Sequence, residues 1–152
     1  MSAVEAYESS SDVVRVRVLS TESMWADGPS GIISIIKAAV EETLKGAART
    51  KIIEIHQPGG RVGELVQRVH GYPTFKAGER AILFLTQTKQ GSFSVTGMFQ
   101  GKYIVEKDGG GIEIVRFPVA GAGTTIVPLS SEKAPEGMPL NRFIEFIKAV
   151  RR

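Results

Sequence analysis

Cysteine is absent from the 152 residues, which excludes a disulfide scaffold, a thiolate metal site and a cysteine nucleophile. Histidine is scarce, at two residues. No apolar run approaches the roughly 18 consecutive residues of a membrane span. The opening Met1-Ser-Ala has no basic segment followed by an apolar one, so no signal peptide is expected here, although a trimmed precursor would read the same way. Charge of one sign is also lacking: 19 Lys and Arg against 16 Asp and Glu leave +3, with an isoelectric point of about 9.3. The basic residues are scattered from Arg15 to Arg152, so long-range attraction to nucleic acid is weak. With 42% hydrophobic residues, the chain reads as one domain over 1–152, able to bury about two-thirds of its unfolded surface.

What is present is a succession of short β-branched and aromatic runs punctuated by glycine, the pattern of a mainly β barrel or sandwich. A short helix is expected over residues 4–11. Val14, Val16 and Val18 alternate with Arg15 and Arg17, a half-buried strand over 13–19. Trp25-Ala-Asp-Gly-Pro-Ser-Gly31 reads as a turn or loop. Further strands are expected over 51–56 and 80–87. The second is apolar at consecutive positions, Ile82 to Leu85, so burial on both faces is expected. Residues 93–97 and 102–106 follow, and Asp108-Gly-Gly-Gly111 is a hairpin turn leading into 112–117. An irregular connection over 118–139 is rich in Gly, Ala, Pro and Ser. Leu140, Phe143, Ile144, Ile147 and Val150 then form the stripe of an amphipathic helix over 140–151, with Arg142, Glu145, Lys148 and Arg151 off it.

Residues 32–44 fit two periods. Ile32, Ile36, Val40 and Leu44 lie four apart, as on one helical stripe, and Ala38, Ala39, Glu41, Glu42 and Leu44 favour helix. The even positions also fit a strand, broken only by Glu42. Periodicity leaves the choice open.

An ordered set of motifs bears on that choice. Ser10-Ser-Asp-Val-Val14 with Val16-Arg-Val-Leu-Ser20 is followed by Glu41-Glu-Thr-Leu-Lys-Gly46 and Gln57-Pro-Gly-Gly-Arg-Val-Gly63. Gln67-Arg-Val69, Gly71, Phe75-Lys-Ala-Gly-Glu79, Leu83-Phe-Leu85, Gly97 and Gln100-Gly-Lys102 complete it. Over roughly 10–105 the chain resembles a family of bacterial exported OB-like barrels. That family is remotely similar to the N-terminal domain of tissue inhibitors of metalloproteinases and to netrin modules, and some members accompany matrixin-like proteases. The resemblance implies an antiparallel OB-like barrel over about 11–117, a strand at 32–44, an extracytoplasmic location, and a protein partner such as a protease. Those inhibitors place an N-terminal cysteine on the catalytic zinc. With none here, that mechanism does not carry over.

Chemistry-bearing residues are few. His56, His70 and Glu64 could be drawn as a zinc set, but no i,i+4 helical spacing makes them converge. Gly59-Gly-Arg-Val-Gly63 lacks the Gly-Lys-Ser/Thr ending of a phosphate loop, Gly121-Ala-Gly-Thr-Thr125 lacks a dinucleotide fingerprint, and no G-x-S-x-G occurs. The chain therefore reads as non-enzymatic, with no cofactor or metal. The expected functional surface is the 57–71 loop with Arg61, Glu64, Arg68 and His70, close to Gln100 and Lys102. Arg61 and Arg68 could grip a carboxylate or phosphate, or pin their own loop to backbone carbonyls. The alternative is a single-strand-binding barrel, with Trp25, Phe93, Phe99 and Tyr103 as stacking residues and Lys102, Arg15 and Arg17 as phosphate contacts.

Overall fold

The computed structural model describes residues 3–26, 31–46, 51–89, 91–107, 109–116 and 138–150. The chain runs α1 (Ala3–Ser9), β1 (Asp12–Trp25), β2 (Ile32–Lys45), β3 (Ile52–Pro58), β4 (Gly60–Val62), β5 (Leu65–Gln67), β6 (Arg80–Gln87), β7 (Phe93–Val95), β8 (Lys102–Lys107), β9 (Glu113–Arg116), β10 (Met138–Pro139) and α2 (Leu140–Val150). The circuit β1-β2-β3-β7-β6 closes through a β1–β6 pairing into a five-strand mixed barrel. Its pairings are antiparallel except β3 with β7, which meet in parallel at Ile55 and Phe93. Such a circuit, with its third strand beside its fifth, is OB-like. Beyond Leu83 the edge of β6 used by β7 is taken over by β8, which continues into β9 and β10.

Strand periodicity builds two cores from one sheet. Val14, Val16 and Val18 of β1 meet Ala81, Leu83 and Leu85 of β6, Ile36, Ala38, Ile53 and Ile55 inside the barrel. The residues between them point outward: Val13, Ile82 and Phe84 pack with Tyr103, Val105 and Val115 under Tyr7 of α1 and Leu140 and Phe143 of α2. This is why β6 is apolar at consecutive positions. Burying a side chain such as Phe84, 0% exposed, contributes on the order of 2–3 kcal/mol. Tyr103 sits between Phe84 and Phe143, with ring centroids 5.4 and 4.9 Å away. Lys45 Nζ donates to Tyr7 O at 2.6 Å, where a cation suits the C-terminal end of α1. In α2, Arg142 and Glu145 are exposed, opposite the buried stripe.

Residues 32–44 are strand. Ile36 and Ala38 face the barrel interior, whereas Leu44 packs under the helices, so the strand changes core around Glu42, where its alternation breaks. The β1 strand runs past residue 19 to Trp25, which pairs with Ile32, so Trp25 is not part of a turn. The register slips between Val18 and Ser20. A bulge at Leu19 shifts the phase of alternation, which ends the even-numbered pattern without ending the strand. Ala26 N–H donates to Gly31 O at 2.7 Å across the end of this ribbon. Residues 27–30, Asp108, 117–137 (most of the irregular connection, with the 121–125 motif) and 151–152 lie outside the described residues. Met138 and Pro139 pair with β9. No helix among the described residues is long and apolar enough to cross a membrane.

Candidate functional site

A groove of about 790 Å³ opens at one end of the barrel. Its floor is the inward face of β1, β2 and β3, carrying Thr21, Ser34, Ile36 and Gln57. Thr21 lies opposite Ile36, and Ser34 opposite Gln57, so these side chains share the face that elsewhere lines the apolar core. The polar trio marks where the core gives way to an opening.

Two covers flank this floor. The first is the β4–β5 hairpin, strapped to the β1–β2 ribbon. Ser34 Oγ donates to Gly59 O at 2.8 Å, Gly59 N–H to Ile32 O at 2.7 Å, and Ile32 N–H to Gln67 Oε1 at 2.8 Å. Gly60 allows this approach: a Cβ there would lie 2.3 Å from Ser23 Oγ and 2.6 Å from Ser34 Oγ.

The second cover is the irregular segment over 68–75, held by its carbonyls. Phe99 N–H donates to Gly71 O at 2.7 Å, Gln57 Nε2 to Pro73 O at 2.8 Å, and Lys102 Nζ to Thr74 O. Lys102 also lies 2.6 Å from Glu79 Oε1 and 4.6 Å from the Phe75 ring centroid. Desolvation, exceeding the help from Glu79, holds the Lys102 ammonium below the usual lysine pKa. Gln57 Nε2 is committed to Pro73, while its Oε1 is buried with no donor among the described residues.

The expected site residues divide accordingly. Arg68 and His70 line the groove and are exposed. Arg61 and Glu64 are exposed on the adjoining hairpin, and Arg61 Nε pins its own turn by donating to Gly63 O at 2.9 Å. Gln100 is half-buried in the 3-10 turn behind the wall. Lys102, 6% exposed, is held within the wall by Thr74 and Glu79. Gln57, Tyr72 and Phe75 belong to the groove and were not singled out as binding residues.

The drawn zinc set does not assemble: His56 pairs with Glu54 at 3.1 Å, and no three potential ligands converge among the described residues. Several residues of the nucleic-acid alternative are also committed elsewhere. Phe93 and Tyr103 are core residues, and Arg15 lies 3.6 Å from Glu42. Trp25 and Arg17 remain exposed. No family model, no curated protein and no solved structure matches the chain.

Proposed function

We propose that this chain is a non-catalytic protein-interaction module whose binding site is the groove at the barrel mouth. The observation that carries the reading is the open groove of about 790 Å³ itself, lined by the exposed Arg68 and His70 above a floor that holds Thr21, Ser34 and Gln57. The volume falls among ligand sites of about 300–1,000 Å³, room for a short segment of a partner. Loops held on a rigid barrel are where binding residues concentrate. The resemblance over 10–105 supports an extracytoplasmic setting and a protease, or a protein accompanying one, as the partner.

The test is an amide NMR titration with a library of extended peptides. Binding in the groove should shift Gln57, Val69 and Tyr72 while the outer core around Phe143 stays still. A library that moves none of these residues overturns the reading. So does hydrolase turnover that disappears on changing His56 or His70.

A further inference from the structure

We infer that the groove selects an extended acidic peptide, with a carboxylate held by Arg68. This inference rests on the interaction-module reading and adds the chemistry of the ligand. The first observation is charge. Arg68 and His70 line the groove, and no carboxylate occurs among its described lining residues. The wall carboxylate of Glu79 is engaged by Lys102 at 2.6 Å, so it offers little to oppose a second anion. Arg68 is exposed, and its guanidinium suits bidentate recognition of a carboxylate.

The second observation is the floor. Gln57 Nε2 donates to Pro73 O at 2.8 Å, which fixes the amide orientation. The amide is thus held in place on the groove floor beside Thr21 and Ser34, uncharged polar groups that suit a peptide rather than a second fixed charge.

The third observation separates a peptide from a polyanion. A nucleic-acid strand carries a phosphate at every nucleotide and is held by several cations, whereas Arg68 is the only lysine or arginine among the described lining residues. Lys102 is committed within the wall. The apolar lining of Ile36, Val69 and Phe75 suits alternate side chains of an extended peptide.

Fluorescence anisotropy with three labelled eight-residue probes tests this. The first alternates Asp or Glu with Val, the second replaces each acid by Asn or Gln, and the third is oligo(dT). The acidic peptide should bind at least about tenfold tighter than its amide counterpart, and Arg68→Gln should remove most of that difference. The variant should melt like the parent, and the NMR shifts should fall on Gln57, Val69 and Tyr72. If the amide peptide binds the groove equally well and Arg68→Gln changes nothing, the acid preference is overturned while the interaction-module reading stands. Oligo(dT) binding as tightly as the acidic peptide, or shifts away from the groove, also overturns the inference. If neither peptide binds, both readings fall together.

Discussion

The Lys102 ammonium and the Glu79 carboxylate, 2.6 Å apart, form a buried clamp on the groove wall. The same ammonium donates to Thr74 O, so one side chain from β8 holds both ends of the stretch 74–79. Replacing Lys102 by Met should leave Thr74 O and Glu79 without this partner. We expect a loss of about 1–3 kcal/mol in chemical denaturation, with faster amide exchange over 71–76 than in the barrel strands. Unchanged stability together with unchanged exchange would show that the clamp does not hold the wall.

Tyr103 should make the protein sensitive to alkali. Burial pushes its phenol from 10.0 up to about 12. Above pH 10 the unfolded chain loses this proton while the folded chain keeps it. The contribution is therefore complete below pH 10 and is lost as pH rises through 10–12, by about 2–3 kcal/mol. Tyr103→Phe should show a shallower fall in stability than the parent between pH 9.5 and 12. Parallel curves would show that Tyr103 is not the group responsible.

Much of the fold is legible because burial writes itself into side-chain alternation. Ile82 to Leu85 announce a strand with a core on either side, and Phe143 announces the docked face of α2. Residues 32–44 do not announce themselves, since the stripe from Ile32 to Leu44 satisfies helical and strand periods together. Pairing with both β1 and β3 decides for strand, and pairing partners are distant in sequence. The bulge at Leu19 hides the second half of β1 for a related reason: it reverses which parity faces inward. The site is less legible still. Arg68 and His70 stand out in the sequence because they sit in a Gly-rich loop, and both line the groove. Lys102 read as a surface cation because its partners Thr74 and Glu79 are 28 and 23 residues away. Gln57 becomes notable only once one end of its amide is seen to be used and the other unused.

Arg61 and Arg68 lie close in sequence and should behave differently. Arg61 fastens its own hairpin through Gly63 O at 2.9 Å, whereas no such bond holds Arg68 among the described residues. Arg61→Ala should speed amide exchange at Val62 and Leu65 while barely moving the melting temperature, because the bond is exposed. Arg68→Ala should alter neither. Faster exchange across 68–75 in Arg68→Ala would instead make that arginine part of the wall's support.

Gly60 should resist every side chain, because the hairpin touches the ribbon at that point. A Cβ there would stand 2.3 Å from Ser23 Oγ, 2.9 Å from Ser23 Cβ and 2.6 Å from Ser34 Oγ, and the backbone φ of 141° already disfavours any residue but glycine. The hairpin cannot move off without stretching the Gly59-to-Ile32 bond. Gly60→Ala is therefore expected to cost about 1–3 kcal/mol through overpacking. Backbone strain and the clash are separable by a second change. Ser23→Gly removes the nearest atom, Ser23 Oγ, and Ser23 Cβ, but leaves φ and Ser34 Oγ as they are, so the double variant should recover part of the loss. Denaturation of the parent, both single variants and the double variant gives the coupling. A double variant less damaged than the sum confirms that the hairpin rests on Ser23. Strict additivity would mean that the hairpin does not rest on Ser23 and that the cost lies in the backbone conformation and against Ser34 Oγ.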